Sequence, residues 1–117
     1  MEFEQYTIAL LVTPEEPPAL SEDEAARLQD AHLNHLADLH EAGHLLAVGP
    51  LADPDGELRG LSLLCVDPDR ARELKEADPA IQAGAFLLRV LPWSVPAGAM
   101  RFTPTFLPRS LADVRGH

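Results

Sequence analysis

Hydrophobic and polar residues follow two different periods along this chain, and the periods divide it into predicted strands and helices. Short apolar runs bounded by proline, aspartate or glycine are typical of β-strands. Four such runs cover Phe3 to Val12, His44 to Val48, Arg59 to Val66 and Ala85 to Leu91. Between the first two, Ser21-Glu22-Asp23-Glu24 has the form of a capping box, which predicts a long helix that ends at Gly43.

A second helix is predicted from Asp67-Pro68 to about Ala77, with aspartate as the N-cap and proline at the first helical position. Residues 78–84 repeat this arrangement within a single turn that ends at Gly84. The resulting order, βαββαβ, predicts an α+β, ferredoxin-like fold. Its sheet has four antiparallel strands and its two main helices cover one face.

The predicted strands are apolar on both faces. In the first strand Ile8 and Leu10 alternate with Ala9 and Leu11, and the third and fourth strands show the same property. Two helices cover only one face of such a sheet, and an uncovered apolar face of this size is unusual for a monomer. We therefore expect a homodimer in which the second faces meet, or a cover supplied by the tail.

Residues 94–117 differ in character from residues 1–93. Pro96, Pro104 and Pro108 interrupt regular structure, while Phe102 and Phe106 are able to anchor the segment. We expect one domain over residues 1–93 and a proline-rich C-terminal arm, residues 94–117, that packs on the domain or on a partner subunit.

Composition limits the partners. The chain has 117 residues and a net charge of −10, and its few lysines and arginines are scattered, which argues against nucleic acid and anionic membranes. No apolar run approaches the roughly 20 residues that span a bilayer. The acidic Met1-Glu2-Phe3-Glu4 does not resemble a signal peptide, which predicts a cytoplasmic protein. The single Cys65 is expected to be buried and inert.

One histidine stands where the helical period requires a hydrophobic residue. On a helix with about 100° per residue, His32 falls near the centre of an apolar stripe; the stripe comprises Ala25, Leu28, Leu36, Leu39 and Gly43. An unpartnered buried imidazole costs about 1–3 kcal/mol, so a polar group must meet it. His32 is therefore either a core histidine bound to a backbone carbonyl or a general base or acid at a pocket.

Asp78 is the candidate partner of His32, and it has a structural alternative. An aspartate before proline is what helix capping alone selects, as Asp67-Pro68 shows. Both roles are compatible, because one carboxylate oxygen can cap the helix while the other faces the imidazole.

Other candidates carry weaker signals. His32, His35, His40 and His44 lack a recognised metal-ligand spacing, so no metal is predicted. Gly49-Pro50, Tyr6 and Trp93 are candidate substrate-binding residues, although strand termination accounts for Gly49-Pro50 and packing for Trp93. No phosphate-binding or dinucleotide-binding glycine loop is present, and no cofactor is predicted.

Two groups of these residues form a combined pattern over residues 3–93. The first comprises Ala31-His32-Leu33, Leu36, Leu39-His40, Gly43, Leu45-Leu46 and Gly49-Pro50, and the second Ala77-Asp78-Pro79 and Ala83-Gly84. The pattern resembles the YciI-like (YCII-related) family. The resemblance implies a dimeric α+β barrel and a His-Asp dyad formed by His32 and Asp78. The tail, residues 94–117, departs from the family pattern.

The resemblance also implies a type of reaction, because some relatives eliminate halide from small unsaturated acids or isomerise them. We expect His32 to be a general base or acid, oriented by Asp78, in a cofactor-free elimination or isomerisation of a small organic acid. The alternatives are a non-catalytic small-molecule-binding or regulatory dimer and a purely structural accessory domain.

Overall fold

The computed structural model describes residues 1–116 and shows helices packed on one face of an antiparallel sheet. The elements are β1 (Phe3–Val12), α1 (Glu22–Glu41), β2 (Leu45–Pro50), β3 (Leu58–Leu64), α2 (Pro68–Glu76), α3 (Pro79–Gln82), β4 (Leu87–Pro96) and α4 (Leu111–Gly116). The strand order is β2-β3-β1-β4, and every pair is antiparallel. The predicted α+β, ferredoxin-like fold is confirmed.

Local capping sets the ends of the helices. Ser21 caps α1 in a capping box with Glu24, and Gly43 follows the helix with a φ of 85°. Asp67 caps α2 through the Arg70 N–H. Positive φ is favourable for glycine because it has no Cβ. The chain therefore turns sharply after α1 and enters β2.

The last strand is longer than predicted. β4 runs from Leu87 to Pro96, whereas the sequence prediction ended it at Leu91, before Pro92. β4 is an edge strand that pairs only with β1, so alternate N–H groups point away from the sheet. Pro92 and Pro96 are four residues apart and occupy the same phase of this alternation. An edge strand accommodates proline at such positions.

The prediction for Cys65 is wrong. β3 ends at Leu64, so Cys65 lies outside the strand, and it is exposed. Its Sγ donates to the Gly43 carbonyl oxygen at 3.1 Å. The predicted strand continued to Val66 and buried the thiol, but the chain leaves the sheet two residues earlier.

The two faces of the sheet have different cover. On the helix side, six buried residues form the core: Ala9, Leu36, Leu39, Leu45, Leu64 and Ala71. On the opposite side Tyr6, Leu63 and Val95 form a smaller cluster. Next to this cluster Leu91 and Trp93 are each 41% exposed. We refer to this opposite side, which carries Tyr6, Leu91 and Trp93, as the open face.

The C-terminal segment first contacts the open face, where Met100 packs against the cluster around Tyr6, and then returns to the helices. After β4, Phe102 packs edge-on against Tyr6 with ring centroids 5.9 Å apart. Further along, the Arg109 guanidinium bonds to Asn34, Asp38 and Glu41 of α1. Among the described residues, no helix is both long and apolar enough to cross a membrane.

Candidate functional site

His32 and Asp78 meet in the interior. His32 is 7% exposed on the inner face of α1, and its Nδ1 lies 2.6 Å from Asp78 Oδ2. The other carboxylate oxygen, Oδ1, accepts the Ala80 N–H at 2.8 Å and thereby caps α3. The two roles considered for Asp78 therefore coexist, and a helix cap positions the carboxylate beside the imidazole.

The electrostatics of this pair favour an ionised carboxylate. Burial raises the pKa of the Asp78 carboxyl, but the His32 hydrogen bond and charge, the Ala80 N–H and the Lys75 charge bring it below its ordinary value. An ionised carboxylate only accepts hydrogen bonds, so Nδ1 of His32 carries the hydrogen. In the neutral ring Nε2 then has the free lone pair, which is able to take a proton.

A second histidine stands next to this pair. His35 Nδ1 lies 4.0 Å from Asp78 Oδ2 and, among the described residues, has no hydrogen-bond partner although it is buried. Burial lowers the pKa of His35, and the Lys75 and His32 charges lower it further, against the opposing effect of Asp78 and Asp38. His35 is therefore neutral at pH 7, and His32 rather than His35 forms the hydrogen bond with Asp78.

The remaining histidines are not gathered around a common centre. His40 Nδ1 lies 2.8 Å from the carbonyl oxygen of Leu45, a contact that links α1 to β2. Within residues 1–116, no group of three or more His, Cys, Asp or Glu residues is arranged to hold a metal ion.

Sequence reasoning missed Lys75. Its side chain is fully buried, and Nζ donates to Ser62 Oγ at 3.0 Å. Burial lowers the pKa of the Lys75 ammonium from 10.5 to about 8, and the Asp78 charge opposes this change. A signal was available, because Lys75 follows Ala71 by four residues on the inner face of α2.

His32, Ser62 and Lys75 border a cavity of about 530 Å³ between the sheet and the helices. Strand residues supply one wall, among them Leu11, Gly49, Pro50 and Ser62. His32 and Lys75 stand in the wall formed by the helices. The C-terminal segment contributes Leu107, Pro108, Leu111 and Val114.

The predicted site residues fall into two groups. Gly49 and Pro50 line the cavity with His32, and Asp78 lies directly behind the imidazole. Tyr6 and Trp93 are cross-strand neighbours on the open face and do not line the cavity. The Tyr6 hydroxyl donates to the Glu4 carboxylate instead.

A family model for the YCII-related domain matches residues 7–94, three quarters of the chain. The chain belongs to the YCII-related family. The matched region includes His32, Lys75 and Asp78, whereas the cavity residues from Leu107 onward follow it. In this YCII-related chain, one wall of the cavity therefore comes from residues outside the matched region.

One solved structure shows the same fold. It is the 5-chloro-2-hydroxyhydroquinone dehydrochlorinase from Burkholderia phenoliruptrix in complex with 2,5-dihydroxybenzoquinone, with a TM-score of 0.52 and 21% identity. The match covers 76% of this chain and 92% of that chain. No curated protein matches the chain in sequence.

Proposed function

We propose that this protein is an enzyme in which His32, oriented by Asp78, transfers a proton to or from a small organic acid without a cofactor. The observation that carries the proposal is the buried hydrogen bond of 2.6 Å between His32 and Asp78 beside a cavity of about 530 Å³. A histidine that opens onto a cavity and is held by a carboxylate on its other nitrogen has the arrangement of a general base.

The chemistry follows from the two nitrogens of the ring. Nε2 takes a proton from a carbon next to a carbonyl or carboxyl group, and the electron pair of that C–H bond forms an enolate. In an elimination the pair then expels a leaving group such as chloride. In an isomerisation the imidazolium returns its proton to another carbon. Asp78 stabilises the imidazolium, and this type of catalysis contributes about 10²–10⁴-fold to the rate.

The cavity restricts the substrate to a small molecule with an apolar body. Its volume of about 530 Å³ is in the range of small-molecule sites. Leucine, valine, proline and phenylalanine side chains form most of its wall, and the polar side chains are few: Gln29, His32, Arg59, Ser62 and Lys75. The similar solved structure is named a dehydrochlorinase, which supports elimination as the class of reaction.

The test is proton exchange and elimination with a matched histidine control. Small carbon acids incubated in D₂O with the protein are followed by ¹H NMR, and chloride release is measured with 5-chloro-2-hydroxyhydroquinone as the probe. We expect His32→Ala to lose at least about 100-fold in rate because the base is removed, and Asp78→Asn to lose a similar factor because an amide neither orients the imidazole nor stabilises its charge.

His44→Gln is the control, since His44 is half-buried and does not line the cavity. Its rates are expected to equal those of the wild type. Equal rates in the wild type and His32→Ala, or no exchange or elimination in the wild type with any probe, contradict the proposal.

We also propose that the open face pairs with a second copy of the chain to form a homodimer. Three large apolar residues on this side are exposed: Leu87 to 55%, Leu91 to 41% and Trp93 to 41%. They belong to one face of β4, next to the cluster around Tyr6. An apolar patch on a sheet is favourable when it is buried by a partner.

A further inference from the structure

Lys75 is a buried cation without an acidic partner. Within residues 1–116, no carboxylate forms an ion pair with its Nζ, and Ser62 Oγ is its hydrogen-bond partner. Asp78 acts on it through its charge, but both oxygens of that carboxylate are already engaged, one by His32 and one by the Ala80 N–H. The ammonium therefore has N–H groups without a partner among the described residues of the cavity wall. Because the side chain has no exposed surface in the empty site, an anion reaches Nζ only when neighbouring side chains of the wall move aside.

Packing does not require a lysine at this position. α2 turns its inner face, with Ala71 and Lys75, toward the sheet, and an apolar side chain would fill the same place. Burying an unpaired ammonium is unfavourable, and replacing buried charges with apolar residues of similar volume is often neutral or stabilising. A residue that is costly to stability in a cavity wall is a candidate for a role in binding.

No acidic side chain of the described residues lines the cavity, although the chain as a whole is acidic. The chain has 19 Asp and Glu residues against nine Lys and Arg. Nevertheless, no acidic residue of the described part of the chain is in the cavity wall, whereas Lys75 and Arg59 are. Lys75 thus stands at a small, mostly apolar space, where an anion gains more from its charge than it would in water, whereas Arg59 is exposed.

We propose that Lys75 and Ser62 form an oxyanion-binding subsite, which makes the substrate a small anion whose carboxylate or phenolate oxygen meets Nζ. This inference rests on the proposed function, because it assigns the substrate class of the same cavity. The oxygen accepts an N–H of Lys75, and the apolar body of the substrate contacts the leucine-rich wall. When His32 removes a proton, the same ammonium stabilises the charge on the enolate.

The protonation of Lys75 makes this subsite sensitive to pH. Its pKa of about 8 means that the ammonium is lost in the empty site as the pH rises above that value. The charged and titratable groups around it are Asp78 beside α3 and His32 and His35 on α1. A bound anion favours the charged amine, so anion binding above pH 8 is accompanied by proton uptake.

The experiment compares an anion with its neutral analogue. Benzoate and benzamide are titrated calorimetrically against the wild type and Lys75→Met from pH 6.5 to 9.5. We expect the wild type to prefer benzoate at least about tenfold at pH 7 and to lose this preference toward pH 9.5. Lys75→Met is expected to bind the two ligands equally at every pH.

Arg72→Met is the matched control, because Arg72 is an exposed cation on the same helix, paired with Glu76. It removes the same charge and is expected to keep the preference for benzoate. Lys75→Gln, which retains a donor for Ser62, is used in the same way should Lys75→Met not fold. Titration with 2,5-dihydroxybenzoquinone, an acidic enol, distinguishes a phenolate-like oxyanion from a carboxylate.

The subsite is contradicted if the wild type prefers neither anion, or if both Lys75 variants keep the preference. The result is separable from the test of His32. His32→Ala is expected to keep benzoate binding while losing turnover. Loss of the preference in the Lys75 variants together with unchanged turnover in His32→Ala supports the subsite and contradicts the general base.

Discussion

The helix-covered face and the open face of the sheet are built from the same strands, yet they differ in what they bury. On the helix-covered side five polar or charged side chains are buried: Thr7, His32, Ser62, Lys75 and Asp78. On the open face the strand residues are mainly apolar, and several remain exposed, Leu91 and Trp93 among them. The side covered by helices holds the buried polar groups, and the side covered only in part, by Met100 and Phe102, is mainly apolar.

Most buried polar groups in proteins have hydrogen-bond partners, and on this side His35 Nδ1 is an exception. α1, α2 and α3 bring donors and acceptors to the helix-covered face, so His32 meets Asp78 and Lys75 meets Ser62. The chain covers the open face only in part, through Met100 and Phe102 of the C-terminal segment. The apolar surface of this face suits contact with another apolar surface, which is the basis for the proposed homodimer.

The largest expected effect comes from breaking the buried pair on the helix-covered side. Asp78→Ala leaves His32 buried without its partner and the Ala80 N–H without an acceptor. We expect unfolding in urea to show a loss on the order of 3–5 kcal/mol, the range for a broken buried pair. Asp67→Ala removes the cap of α2 and no histidine contact, and it is expected to cost about 1 kcal/mol. Equal losses for the two variants would mean that the pair adds nothing beyond capping.

Alkaline pH is expected to remove the desolvation penalty of the buried Lys75 ammonium, because the amine becomes neutral. The folded pKa of Lys75 is about 8 and its unfolded value 10.5, so between these values the unfolded chain binds more protons. The contribution of Lys75 to the free energy of unfolding therefore rises with pH across this window, by up to about 3 kcal/mol. Urea unfolding at pH 8 and 10 measures the rise. Lys75→Met is expected to lack it and to be at least as stable as the wild type at pH 7.

A charge on the open face tests the other side of the comparison. Leu91→Glu places a carboxylate in the proposed interface, and we expect the dimer dissociation constant to rise at least about 100-fold because a buried charge without a partner is unfavourable. Sedimentation equilibrium measures the change. Leu20→Glu, an exposed leucine before α1, is the control and is expected to leave association unchanged. A wild type that is monomeric at high concentration contradicts the homodimer.

The smallest expected effect concerns the C-terminal wall of the cavity. Arg109→Ala removes the contacts with Asn34, Asp38 and Glu41 that hold this segment on α1. We expect roughly threefold faster hydrogen exchange in residues 109–116 and a similarly small rise in the dissociation constant of benzoate. Exposed polar contacts contribute little to the free energy that holds such a segment in place. Arg115→Ala, which changes an exposed arginine in α4, serves as the control. Unchanged exchange in Arg109→Ala would show that the Leu111 N–H bond to Asp30 and the apolar contacts hold the segment without Arg109.

Local sequence rules predicted the elements that position His32 and Asp78. Two capping patterns, Ser21 with Glu24 and Asp78 with Pro79, act within a few residues. They can therefore be recognised in the sequence without a structure. The helical period then placed His32 on the inner side of α1. That the two side chains meet across 46 positions depends on the fold, which the order of elements indicated.

Other features depend on contacts that no local pattern records. The scattered distribution of lysine and arginine along the chain does not indicate that Lys75 is buried, although its position four residues after Ala71 is on the inner face of α2. The path of residues 97–110 has no period, and its course is set by distant contacts such as Arg109 with Asp38. Tyr6 and Trp93 lie on the open face because alternation separates them from Thr7 and Ala9. Their participation in substrate binding stays a prediction.

The double engagement of Asp78 has a consequence for the speed of proton transfer. One oxygen of Asp78 accepts the Ala80 N–H of α3 and the other is bonded to His32, so the orientation of the carboxylate is already fixed before the imidazole becomes charged. In the proposed reaction, the carboxylate that stabilises the imidazolium is therefore already in place before the proton moves, and little reorganisation energy is required. A single turn of helix thereby preorganises the proposed base.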